Sequence, residues 1–207
     1  MQPGGEPSHK PPSPQQKMPH ISLESHLPGV TGLLEFRRDT AEPLRELTQI
    51  LLRGESSLSP AERELIATLV SHKNRCVFCT TSHAAAADAY FGSSVLTEQV
   101  CADHRTAPIS EKMKALLTIA SQVQESGKSV TPEAVEAAKN AGATDLELHD
   151  TVMIAALFCF YNRYVDGLAT IAPTDPTYYK GLGIRLRNDG YHRPAQGYDF
   201  LKSNPPK

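Results

Sequence analysis

A chain of 207 residues, 40% hydrophobic and 21% charged, is long enough for one ordinary buried core plus tails. Its formal net charge of −2 gives no basic footprint for nucleic acid and no polybasic membrane patch, and its longest apolar run, the ten residues Val152 to Tyr161, is about half a bilayer span. Four cysteines are too few for a disulfide scaffold, and no apolar signal segment follows Met1, so a reducing, cytoplasmic setting is expected.

Residues 1–20 hold six prolines and few apolar side chains, which reads as a disordered tail. A first helix is expected from Ala41 to Arg53, stopped by Gly54. Ser59-Pro60-Ala61-Glu62 opens a second, with Ser59 as N-cap and Pro60 at the first helical position, ending near His72 to Asn74. A third runs from Cys76 through Ala84-Ala85-Ala86-Ala87 to Tyr90, since alanine is the strongest helix former. A short helix covers Val95 to Asp103, and Ser110 caps another through Glu125. Thr131-Pro132-Glu133 opens a helix ending at Gly142. Thr144-Asp145-Leu146-Glu147 repeats the capping-box pattern and opens the longest, to about Thr170. No stretch alternates with period two. The expectation is an all-α bundle of six to seven helices over residues 21–175, followed by an extended C-terminal arm over residues 176–207.

Cys76-Val77-Phe78-Cys79 is the segment richest in chemistry. Two thiols at this spacing can close a disulfide or hold a metal. They lie at a helix start, where free N–H groups, Lys73 and Arg75 favour thiolate. His83, four positions beyond Cys79, lies one turn along the same face and is placed to exchange a proton with it. Glu64, from the preceding helix, would orient His83, raise its basicity, or relay protons through a water. A structural zinc site needs four ligands. Only Cys76, Cys79, His83 and His72 are local candidates, with no second CxxC or HxxxH pair, so no metal and no cofactor are expected.

Glu64, eleven residues, Cys76-Val77-Phe78-Cys79, three residues, His83: this spacing resembles the E-x11-CxxC-x3-H pattern of the AhpD-like alkylhydroperoxidase and carboxymuconolactone decarboxylase superfamily. Phe160-Tyr161-Asn162-Arg163-Tyr164-Val165-Asp166-Gly167-Leu168 resembles the F-x-NR-x-x-D-x-L stretch of its peroxidase-related branch, as does Glu64 to Ser71 leading into Asn74-Arg75-Cys76. The resemblance covers about residues 25–175. It implies an all-α AhpD-like fold, homo-oligomers (dimers, trimers or hexamers) and thiol-dependent peroxidase chemistry. By position it makes Cys79 the peroxidatic thiol, Cys76 the resolving thiol, and His83 with Glu64 the proton relay. A thioredoxin-like protein or a dihydrolipoyl group would reduce the resulting disulfide.

One departure stands out. The best-studied alkylhydroperoxidases carry a histidine just before the second cysteine, where this chain has Phe78. That removes a proton carrier and raises an alternative: a redox-sensing or non-catalytic oligomer with little peroxide turnover. The paired cysteines argue against lactone decarboxylation. Cys101 and Cys159 read as buried spectators. His104 and His149 read as surface residues, and Asn162, Arg163 and Asp166 as an ion-paired, hydrogen-bonded lock at a helix or subunit contact.

Overall fold

A computed structural model describes residues 18–203, and every regular element among them is helical. The expectation of a disordered tail over residues 1–20 lies, up to residue 17, outside the described residues. Nine α-helices follow one another: α1 (Gly29–Phe36), α2 (Arg38–Arg53), α3 (Pro60–Lys73), α4 (Val77–Phe91), α5 (Val95–Asp103), α6 (Glu111–Glu125), α7 (Pro132–Asn140), α8 (Asp145–Gly167) and α9 (Pro176–Asp189). The count of six to seven was too low because α1 and α9 were not foreseen. α9 also corrects the extended arm expected from residue 176. Its start signal, Asp175 accepting from the Thr177 N–H with Pro176 at the first helical position, was masked by the helix-weakening Gly181 and Gly183.

The helix starts follow the capping chemistry. Ser59 and Glu62 form a reciprocal capping box on α3, and Thr144 and Glu147 form another on α8. The Glu147 carboxylate also takes Lys112 Nζ at 2.7 Å and the Ser57 hydroxyl at 2.9 Å, so one acid ties α6 and the α2–α3 loop to the start of α8.

The core is organised around α3, which is buried continuously from Leu65 to Ser71. Leu65, Ile66, Leu69 and Val70 meet Leu116, Leu117 and Ala120 of α6 and Ile154 and Phe158 of α8 in one apolar cluster. A helix buried on every face also buries its polar residues, and each then needs a partner. Arg63 donates to the carbonyls of Leu51 and Gly54, covering the open end of α2, and Thr68 bonds back to the Glu64 carbonyl.

The turn from α3 into α4 takes only Asn74, Arg75 and Cys76. Arg75 adopts the left-handed region (φ 61°), and the Cys76 N–H reaches back to the Ser71 carbonyl at 3.1 Å. Asn74 is held by Asn162 Oδ1 at 2.8 Å and Gln124 Nε2 at 2.9 Å, and Asn162 donates to Ser71. Asn162 of α8 therefore fixes the corner that presents Cys76.

α9 lies along α4, and the alanine run of α4 makes the close approach possible. At Gly183 an added Cβ would sit 2.3 Å from the Ala85 carbonyl oxygen, whereas at Gly181 it would meet nothing within 4 Å. Gly183→Ala should therefore destabilise the fold by about 1–3 kcal/mol by forcing α9 off α4. Gly181→Ala should be neutral or stabilise by up to about 1 kcal/mol through helix propensity. Urea denaturation of the two variants checks the opposite signs.

Candidate active site

The three helices around α3 converge on its one buried acid. Glu64 has no exposed surface. A lone carboxylate there would be strongly disfavoured, and three groups answer it. Arg53, the last residue of α2, donates from Nη2 to Oε1 at 2.5 Å. Tyr191, from the turn after α9, places its hydroxyl 2.5 Å from the same oxygen. His83 of α4 places Nδ1 2.8 Å from Oε2.

Burial alone would push the Glu64 carboxyl up. His83, Arg53 and the Tyr191 hydroxyl outweigh it and hold the group below the ordinary carboxyl range. Tyr191 is driven well above the usual phenol range, first by burial and then by the Glu64 charge, so it stays a protonated donor. An ionised Glu64 only accepts, which places a proton on His83 Nδ1 and leaves Nε2 as the nitrogen free to exchange one. The imidazole is held on two sides: Phe158 meets it edge-on at 4.4 Å, and Tyr191 stacks on it at 6.0 Å with an interplanar angle of 11°. Arg53 in turn lies over the rings of Tyr191 and Tyr90, at 4.9 and 5.4 Å.

Cys79 and His83 both line a cavity of about 70 Å³ beneath α9, walled by Leu34, Phe78, Phe158 and Tyr161. Cys76 stands behind Cys79 with no exposed surface, and both thiols are free. The helix start was expected to lower both thiols, but Cys76 goes the other way. Its thiol is held far above the ordinary range, first by its hydrogen bond to Cys79, then by burial, by the Cys79 charge and by the Asp166 carboxylate. Lys73 and Arg75 do not face the thiols. They line a separate cleft with Cys101 and His104.

Phe78 explains itself as packing. A Cβ on Gly29 would fall 2.3 Å from its ring, so the ring lies flat against the backbone at the start of α1, and Tyr179 covers it at 6.1 Å.

The structure thus brings Glu64 and His83 into direct contact, keeps the buried Cys76 thiol near Cys79, and puts Cys79 in the same cavity as His83. It does not form the expected Arg163–Asp166 lock. Arg163 donates to the Cys159 carbonyl at 2.9 Å, while the Asp166 carboxyl, raised by burial, lies on the side of the Cys76 thiol, which draws it partly back down. His149 is exposed and meets Asp150 away from the site. Arg53 and Tyr191 were not foreseen. Arg53 showed only as a cation before a helix-ending glycine, and nothing in Gly190-Tyr191-His192 marks a buried donor. Among the described residues no group of three or more His, Cys, Asp or Glu is arranged to hold a metal ion, and no helix is long and apolar enough to cross a membrane.

The carboxymuconolactone decarboxylase family model matches residues 38–90, a span that holds Arg53, Glu64, both thiols and His83. No curated protein matches the chain. Solved structures similar to it include the following three. An uncharacterised peroxidase-related protein from Ralstonia eutropha JMP134, described as an alkylhydroperoxidase AhpD core, is 25% identical over 76% of this chain and 81% of its own, with a TM-score of 0.67. An uncharacterised peroxidase-related protein from Silicibacter sp. TM1040 is 26% identical over 74% and 79%, also at 0.67. A protein of unknown function from Agrobacterium tumefaciens, named as a candidate AhpD antioxidant-defence protein, shares the fold at 19% identity over 71% and 99%, with a TM-score of 0.61.

A carboxyl held below its ordinary range stabilises the fold above that range, and the contribution is lost as pH falls through the lowered value. Removing the guanidinium leaves the anion under-compensated. Arg53→Gln should therefore cost about 3 kcal/mol at neutral pH, shrinking as acid protonates Glu64. Urea midpoints of wild type and variant at pH about 7 and about 4 test this; an equal loss at both would contradict it.

Proposed function

This chain belongs to the AhpD-like and carboxymuconolactone decarboxylase superfamily, and from that premise we propose that it is a cysteine-based peroxidase and disulfide oxidoreductase working through Cys79, Cys76, His83 and Glu64. The observation that carries the reading is the Glu64–His83 contact of 2.8 Å beside a cavity that Cys79 also lines.

Glu64 acts as a fixed anion rather than a proton carrier. It keeps the His83 proton on Nδ1, turns Nε2 to the cavity side, and stabilises the imidazolium when it forms. Nε2 takes the Cys79 proton. The thiolate is supported from behind by the Cys76 S–H, which donates to it. The thiolate attacks one peroxide oxygen, an S–O bond forms and the O–O bond breaks. The leaving oxygen takes the proton from His83 and departs as an alcohol or water, leaving Cys79 as a sulfenic acid.

Sulfenic acid formation removes the negative charge that held Cys76 protonated. Asp166, whose carboxyl is pushed up by burial and lies near the Cys76 thiol, then accepts the Cys76 proton. Cys76 attacks the Cys79 sulfur, the S–O bond breaks, and the departing hydroxide takes up the proton that Asp166 accepted and leaves as water, closing the disulfide. An external dithiol, thioredoxin-like or dihydrolipoyl, returns the pair to thiols by exchange. The near-complete burial of both sulfurs also favours the sensor alternative, in which the disulfide forms without rapid turnover.

Stoichiometric peroxide should shift the intact mass of the wild type by two hydrogens, mapped to a Cys76–Cys79 link. Cys79→Ser should consume no peroxide with a dithiol donor. Cys76→Ser should stall as a trappable sulfenic acid, and Asp166→Asn should accumulate the same species by slowing resolution about ten-fold or more. A wild type that consumes no more peroxide than Cys79→Ser, yet still forms the disulfide, would point to the sensor.

Phe36 (61% exposed), Val77 (64%) and Phe160 (46%) leave apolar surface that a second copy would cover. Sedimentation velocity should accordingly give a multiple of the 22.6 kDa chain mass.

A further inference from the structure

Two hydrogen-bonding groups belonging to residues on the cavity wall have no partner in the protein. Ser82 follows Cys79 by three positions on α4 and so shares its face. The neighbouring hydroxyls are spent on the helix: Thr80 bonds back to the Cys76 carbonyl at 2.7 Å and Thr81 to the Val77 carbonyl at 2.9 Å. The Ser82 hydroxyl makes no such bond, and it is buried.

The other group is the Nε–H of Arg45, a buried side chain from α2. Its remaining nitrogens are committed: Nη1 donates to the Tyr198 hydroxyl at 2.8 Å and Nη2 to Glu35 at 3.2 Å. Glu35 also carries a forked contact from Arg193 at 2.9–3.0 Å, so two guanidiniums share one carboxylate and positive charge remains beside the cavity. Four other hydroxyls on the wall are engaged. Thr48 and Tyr161 bond each other and the Leu44 carbonyl, Tyr191 serves Glu64, and Tyr198 serves Arg45. An unpartnered buried donor costs about 1–3 kcal/mol, and two beside one small cavity point to a ligand that accepts from both.

We infer that Arg45 and Ser82 form the peroxide-binding subsite, and that it selects hydrogen peroxide and primary alkyl hydroperoxides over tertiary ones. The inference rests on the peroxidase reading above. The leaving oxygen accepts the Arg45 Nε–H and the Ser82 O–H as the Cys79 thiolate bonds the other oxygen. The electron pair of the broken O–O bond then collects where these donors and the residual positive charge stand, before His83 supplies the proton. A cavity of about 70 Å³ holds little beyond the two oxygens and the first carbon. Leu182, Arg185 and Tyr198 line both this cavity and an outer groove, giving an unbranched chain a way out. A substituent crowding the first carbon has none.

The test is the second-order rate of Cys79 oxidation, read by rapid mixing and sulfenic-acid trapping in the Cys76→Ser background. Probes are hydrogen peroxide, ethyl hydroperoxide, tert-butyl hydroperoxide and cumene hydroperoxide, with iodoacetamide as an electrophile that has no O–O bond. Ser82→Ala and Arg45→Gln should each slow oxidation by hydrogen peroxide about ten-fold or more, while iodoacetamide alkylation stays within about two-fold. Since a donor to the leaving oxygen is irrelevant to alkylation, that split separates direct contact from general loosening. Ser82→Ala carries the test should Arg45→Gln disturb the Glu35 and Tyr198 contacts. In the parent, the tertiary peroxides should be the slower pair. Tertiary peroxides reacting as fast as ethyl hydroperoxide, or Ser82→Ala leaving the peroxide rate unchanged, would overturn the inference alone. A Cys79 that no peroxide oxidises, but iodoacetamide alkylates, would overturn the peroxidase reading and this inference with it.

Discussion

Glu64 is a carboxylate with no access to water in the middle of the most buried helix, and much of the surrounding arrangement follows from keeping it charged. An isolated charge there would neutralise or destabilise the fold, so cationic and hydroxylic partners arrive from three directions. Arg53 comes from the end of α2, His83 from the middle of α4 and Tyr191 from beyond α9. Each partner is then committed in turn. Arg53 also donates to the Leu52 and Leu186 carbonyls, which ties the ends of α2 and α9 together through the same guanidinium. The acid is as much a keystone of helix arrangement as a member of a reactive group.

The two thiols, only three positions apart, receive opposite treatment. Cys79 faces the cavity that holds His83, whereas Cys76 sits at the corner before α4, wholly enclosed, with Asp166 beside it and Asn162 fixing the turn. A donor thiol behind an acceptor thiol is a stable order while the front sulfur is anionic, and it dissolves once that sulfur is oxidised. Phe78 contributes no proton chemistry. Its ring fills the space against Gly29 and Tyr179, so its replacement of a histidine changes the wall of the site more than its base.

What the residues disclosed beforehand was local. Ser59, Ser110, Thr131 and Thr144 each announce a helix because a cap and its partner sit within four positions, and all four cap as expected. The Glu64–His83 pairing was likewise foreseeable, since α3 and α4 are adjacent and joined by a tight corner. Arg53, Arg45 and Tyr191 were not, because they take partners up to 153 positions away, and single-residue chemistry carries no mark of so distant a contact. Asp166 was misread for a related reason. Helical spacing put Arg163 within reach of it, but α3 and α4 deliver Cys76 to the carboxyl, and Arg163 turns out to the surface. α9 was missed because two glycines lower its intrinsic helicity, although one of them is what lets it lie on α4.

Tyr191 follows the carboxylate it serves by 127 positions. A nascent or truncated chain that ends before it holds both sulfurs and the imidazole, yet leaves the acid short of a donor and the cavity without its roof. The proton relay proposed for Cys79 is therefore complete only once the chain has folded past α9, which makes the turn around Tyr191 as much a part of it as α3 and α4.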